Sequence, residues 1–98
     1  MSRDDPFPLK NLLGTVLSNL AQSTGSARAL KPIWDEAVGE AIGAQSWPIG
    51  LTGATLTIEV AGPSWATELR RREPELKQRL RTLLGGDAVR YLEFRVRQ

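Results

Sequence analysis

The chain has 98 residues, 41% apolar and 24% charged, enough for one domain with a modest core. It has no cysteine and no histidine. That excludes disulfide scaffolds, thiolate metal sites and thiol nucleophiles, and it removes the commonest general base and metal ligand, so the composition argues against an enzyme. The net charge is only +2, yet residues 1–60 hold four basic and six acidic groups while residues 61–98 hold nine and five. Such a basic C-terminal third suggests an anionic partner on one side of the molecule.

The apolar runs fall well short of the roughly 20 residues of a membrane helix. The start, Met1-Ser2-Arg3-Asp4-Asp5, is too acidic for a secretory signal, so the expected location is cytoplasmic. Residues 1–8 read as a loose lead-in, and residues 9–98 as the domain. Leu9, Leu12, Leu13, Val16, Leu17 and Leu20 recur at helical spacing, which predicts a helix over 8–22 ended by Ser23-Thr24-Gly25-Ser26. Leu30, Ile33, Trp34, Ala37, Val38, Ala41 and Ile42 predict a second helix. Gly39 lies inside that pattern, at a cost of about 1 kcal/mol against alanine, which close packing would justify.

The period then changes. Trp47, Ile49 and Leu51 alternate with Ser46, Pro48 and Gly50, predicting an edge strand, since proline cannot complete a ladder. Thr52-Gly53 marks a turn, and Leu56, Ile58 and Val60 alternate with Thr55, Thr57 and Glu59 as the hairpin's second strand. Ser64 is the expected cap of a helix carrying Trp65, Leu69, Leu76, Leu80, Leu83 and Leu84. Pro74 should divide it at Glu73-Pro74, and Gly85-Gly86 should end it. Leu92, Phe94 and Val96 alternate with Glu93, Arg95 and Arg97 as a last strand. The expected fold is an α+β two-layer sandwich in the order ααββααβ. A three-stranded sheet would be covered on the face formed by Leu56, Ile58, Val60, Leu92, Phe94 and Val96.

Several of these residues also form a recognisable series. Trp34-x-x-x-Val38-Gly39-x-x-Ile42 is followed by Ser46-x-Pro48, then by Gly53-x-x-Leu56-x-Ile58-x-Val60 and Trp65-Ala66-x-x-Leu69. A leucine-rich helix ends at Leu84-Gly85, and the closing strand carries Phe94-Arg95. Over residues 9–97 the chain resembles the DciA family of bacterial replication proteins. The resemblance implies a KH-like fold of type II-like order. It also implies a non-enzymatic partner of the DnaB-type replicative helicase that binds DNA and assists helicase loading or activity at the nucleoid. Many members of that family carry an extension beyond this domain, whereas this sequence ends at Gln98. The joint Arg72-Glu73-Pro74-Glu75 lacks the Gly-x-x-Gly by which KH domains clamp a nucleotide backbone, and it sets two carboxylates there.

The candidate nucleic-acid contacts are Arg70, Arg71, Arg72, Lys77, Arg81, Arg90, Arg95 and Arg97. Arg70, Lys77 and Arg81 would share a face if the kink at Pro74 were mild. Glu68 with Arg72, and Glu75 with Arg79, are spaced for local ion pairs that would make the same residues a solvated helix face. Tyr91 is a candidate base-stacking residue or sheet-edge packing. Trp65 reads as core. Trp34 and Trp47 read as core or as contacts to the helicase, because tryptophan is often an interface anchor. Asp35, Glu36 and Glu40 read as the solvent face of the second helix. No cofactor, metal, membrane or small-molecule substrate is expected. The rival function is a general nucleic-acid-binding KH-like module, for DNA or RNA, without a helicase role.

Overall fold

The computed structural model describes residues 19–20 and 26–97. The predicted lead-in and, apart from the helical Asn19 and Leu20, the predicted first helix lie outside them. A 3-10 turn, Arg28–Leu30, leads into α1, Lys31–Val38, and α2, Glu40–Gly43. The hairpin follows as β1, Ser46–Thr52, and β2, Thr55–Val60. Then come α3, Pro63–Arg71, α4, Glu73–Leu84, and β3, Tyr91–Val96. The sheet order is β1-β2-β3, with β1 antiparallel and β3 parallel to β2. The α3–α4 pair supplies the crossover that a parallel neighbour requires. This is an α+β fold whose element order is consistent with a small KH-like domain. Among the described residues no helix is long and apolar enough to cross a membrane.

The central strand contributes Leu56, Ile58 and Val60 to the core, each at most 1% exposed. The helices close over it with Leu30, Trp34, Leu69, Leu76 and Leu80, all buried. Trp65 packs against this core while remaining partly exposed. On the edge strand β3, Phe94 is buried, Leu92 half-buried and Val96 39% exposed, because an edge position receives cover from one side only.

Four local expectations are corrected. The second helix is two: Gly39 stands at φ 90° and ψ 166° and ends α1. A Cβ placed on Gly39 would meet nothing within 4 Å. The glycine is therefore required by its left-handed backbone, and close packing plays no part. The third helix begins two residues earlier than the serine implied, with Gly62 at the cap and Pro63 in the first turn. Proline's fixed φ and missing N–H suit that turn without a side-chain cap, and Ser64 makes none. The break between α3 and α4 falls at Arg72, and Pro74 lies in the first turn of α4.

The fourth correction concerns β1. Its predicted alternation does not hold, because the ladder to β2 slips between Pro48 and Gly50. The bulge at Ile49 flips the strand, so Ser46, Pro48 and Leu51 face inward and Trp47 faces outward. Pro48 does sit on an edge strand, as expected.

Candidate nucleic-acid and partner surfaces

Trp34 belongs to the core. Its indole is 0% exposed, and its Nε1–H donates to Ser46 Oγ at 2.7 Å. The same hydroxyl donates to the Ile42 carbonyl at 2.7 Å. This buried chain pins the end of α2 to the first residue of β1, with each polar atom satisfied. Trp34 is thus enclosed in the core, the first of the two readings its sequence position allowed. Lys31 makes a parallel tie. Its ammonium donates to Asp35 Oδ1 at 2.7 Å, to the Ser46 carbonyl at 2.9 Å and to the Gly43 carbonyl. A Cβ on Gly43 would lie 2.6 Å from Asp35 Oδ1, so a larger residue would push the Asp35 carboxylate aside from this tie.

Trp47 lies on the outer sheet face instead. The Arg97 guanidinium carbon sits 4.1 Å from the Trp47 ring centroid, and Lys31 Nζ lies 5.8 Å from it. Arg97 also pairs with Glu59 at 2.9 Å. Trp47 and Glu59 are cross-strand partners, and Arg97 follows β3 on the far side of β2. The bulge therefore joins a residue predicted for a protein partner to one predicted for DNA in a single half-buried aromatic–cation patch.

The remaining candidates divide into three places. Arg70, Arg71 and Arg72 end α3. Arg71 and Arg72 both turn to Glu68, at 3.6 and 2.7 Å, while Arg70 is exposed and makes no ion pair among the described residues. The Arg72 hydrogen bond, with Arg71 and Arg72 charge beside it, holds the Glu68 carboxyl below its ordinary value. Arg95 is exposed on β3 and meets Glu93 at 3.4 Å.

The third group does converge. Lys77 and Arg81, one turn apart on α4, line a cleft of about 220 Å³ with Pro74, Gln78, Asp87, Val89 and Arg90. Arg70 is not among the lining residues, because the helix break removes the shared face. Lys77 pairs with Glu73 at 3.1 Å and Arg81 with Asp87 at 2.8 Å, while Arg90 is exposed and makes no ion pair among the described residues. Lys77 Nζ also stands 5.9 Å from the ring centroid of Tyr91, which is 60% exposed.

Local backbone chemistry builds this cleft. Gly85 takes the left-handed cap conformation at φ 75°, and the Gly86 N–H returns to the Arg81 carbonyl at 3.1 Å. That reversal carries the chain back along α4. The Arg90 and Tyr91 N–H groups then bond the Ala54 carbonyl in the hairpin turn, at 2.8 and 3.0 Å. Arg90 is thereby fixed beside Lys77 and Arg81. The sequence named these three cations but not their convergence, for which the Gly85-Gly86 reversal was the available signal.

Arg79, absent from the candidate set, has a structural role. It pairs with Glu75 at 2.6 Å and donates to the Ala37 carbonyl at 2.8 Å. It so satisfies an orphan acceptor at the end of α1, which Gly39 cuts short. Asp35 is engaged by Lys31. Among the described residues no three metal-ligating side chains come together.

The model of the family described as "Dna[CI] antecedent, DciA" matches residues 8–94. A UPF0232 protein of Mycolicibacterium smegmatis is 32% identical over 88 residues, covering 85% of this chain and 45% of that protein. One from Bifidobacterium longum is 32% identical over 83 residues, covering 84% and 53%. One from Mycobacterium tuberculosis is 30% identical over 95 residues, covering 92% and 49%. The chain spans about half the length of the curated relatives it matches.

Proposed function

The chain belongs to the DciA family, and on that premise we propose that it is a non-enzymatic accessory of the DnaB-type replicative helicase that binds DNA in the cytoplasm and assists helicase loading or activity. The observation that carries this reading is the family match over residues 8–94. The lack of histidine and cysteine agrees with a binding role that needs no cofactor. Two surfaces divide the work. The cleft of Lys77, Arg81 and Arg90 holds a single strand by its phosphates, with the exposed Tyr91 ring beside it as a platform for a base. Arg70, Arg71, Arg72, Arg95 and Arg97 add positive field around it. The Trp47–Arg97 patch on the outer sheet face is the helicase contact.

The ion pairs in the cleft do not oppose this role. Exposed pairs are worth about 0–1 kcal/mol, so phosphates can displace Glu73 and Asp87 at small cost. Three to five phosphate contacts give a salt slope of about −2 to −4 on single strands. Binding should therefore be weak and salt-sensitive, and useful mainly when the helicase supplies a second attachment.

The test pairs two assays on the same variants. Anisotropy of labelled single-stranded DNA, titrated against salt, should lose most binding in Arg81→Glu/Arg90→Glu. Pull-down of the host's replicative helicase should be lost in Trp47→Ala and kept in the arginine variant. Absence of helicase binding by the parent chain, with RNA bound as well as DNA, would instead make it a general nucleic-acid module.

A further inference from the structure

The two edges of the sheet are treated differently. At β1, Ser26 bridges Gly50, the Ala27 N–H reaches the Ile49 carbonyl at 3.4 Å, and Pro48 has no N–H to offer. At β3, β2 is the sole strand neighbour among the described residues. The Tyr91 N–H donates to the Ala54 carbonyl at 3.0 Å and the Arg97 N–H to the Val60 carbonyl at 2.7 Å. Backbone groups alternate in direction along a strand, so the odd-numbered residues of β3 turn theirs to β2. Leu92, Phe94 and Val96 turn their N–H and C=O groups outward. Among the described residues this edge is unpaired, a ready template for another strand. Tyr91 at 60% and Val96 at 39% exposure flank it.

We propose that this edge pairs with a second copy of the chain, β3 against β3 in antiparallel register about a two-fold axis through Phe94. The charges select both occupant and register. Outward-turned residues must oppose outward-turned residues, so the axis has to pass through a residue. Through Phe94, Glu93 faces the partner's Arg95 and Arg95 faces the partner's Glu93, while Leu92 faces the partner's Val96 on the core side. An axis through Glu93 would oppose two glutamates. One through Arg95 would oppose two arginines, and one through Val96 would set Arg95 against the partner's Arg97. An axis through Leu92 leaves Arg95 beyond the facing strand. The sequence Leu92-Glu93-Phe94-Arg95-Val96 is thus self-complementary in one register and self-repelling in its neighbours, which is how sheet edges choose partners. That register also faces Tyr91, beside the basic cleft, with the partner's Arg97. The interface is one short strand pair, so the dimer forms at high concentration rather than as an obligate assembly.

The test is sedimentation of the whole chain across about two decades of concentration up to about 1 mM, with three variants alongside. Glu93→Arg and Arg95→Glu each turn both attractive pairs into repulsive ones and should weaken self-association about tenfold. The exchange Glu93→Arg/Arg95→Glu restores opposite charges across the axis and should restore the dimer. Unchanged melting of all three at low concentration shows that the exposed edge can be altered without unfolding. The proposal is overturned by a chain that stays monomeric throughout, by a dimer that neither single reversal weakens, or by a double exchange that fails to rescue it. A monomeric parent whose single reversals lose helicase binding would assign the edge to the helicase's strand and overturn the second copy equally.

Discussion

Replacing Gly39 by alanine separates two accounts of one residue by sign. Inside a continuous helix, glycine to alanine stabilises by about 1 kcal/mol. The structure places Gly39 at φ 90° and ψ 166°, a region almost exclusive to glycine, where another residue costs about 1–3 kcal/mol. No steric term confuses the result, since a Cβ there meets nothing within 4 Å. Nor can the residue readily relax. Its N–H donates to the Asp35 carbonyl at 2.9 Å, and its carbonyl accepts from the Gly43 N–H at 2.8 Å. Gly39→Ala should therefore destabilise by about 1–3 kcal/mol, or lower Tm by about 5–20 °C for a domain of this size. Urea unfolding with an unchanged slope reads this directly. Gly62→Ala, at an extended φ of −162° with open space around its Cβ, is the control and should stay within about 0.5 kcal/mol. A Gly39→Ala protein as stable as the parent, or more so, would refute the broken helix and restore the continuous one.

Three further outcomes follow from the same geometry. Trp34→Phe removes the donor to Ser46 Oγ and should cost about 1–3 kcal/mol in urea unfolding while leaving helicase capture by the folded protein unchanged; intact stability with lost capture would return Trp34 to the surface. Arg79→Met removes the donor to the Ala37 carbonyl and should cost about 1 kcal/mol with no change in the salt slope for DNA. Arg90→Met, which breaks no ion pair among the described residues, should show the reverse, and equal effects of the two on DNA would contradict their separate roles. Glu68 has its carboxyl held below its ordinary value of 4.5, first by the Arg72 hydrogen bond. Its contribution to stability is complete above that ordinary value and is lost as pH falls through the depressed one. Glu68→Gln should therefore flatten the acid limb of the stability curve below about pH 4.5 and leave the neutral region's pH dependence unaltered; an acid limb superimposable on the parent's would sink this assignment.

Period and punctuation in the sequence determined most of the architecture. Leu56, Ile58 and Val60 bury one face of β2 because alternation is a local property of an extended chain. Gly85 ends α4 because its φ is open to no other residue type at so low a cost. The Glu68–Arg72 and Glu75–Arg79 pairs formed as their spacing implied, since helical neighbours are set by the helix itself. The series of motifs across the chain also pointed to the family that its comparison bears out.

What the sequence could not decide depended on contacts between distant segments. A bulge at Ile49 inverted the facing of Trp47, because strand register is a property of the pair and one extra residue exchanges the faces. Trp34 went inward because Ser46 stood ready to accept its indole proton. Lys77, Arg81 and Arg90 became one cleft only when the Gly85 turn and the Ala54 carbonyl fixed the return of the chain. Local propensity acts over a few residues, whereas these placements close loops of ten or more. They are decided by which distant partner satisfies a buried polar group or fills the space beside it.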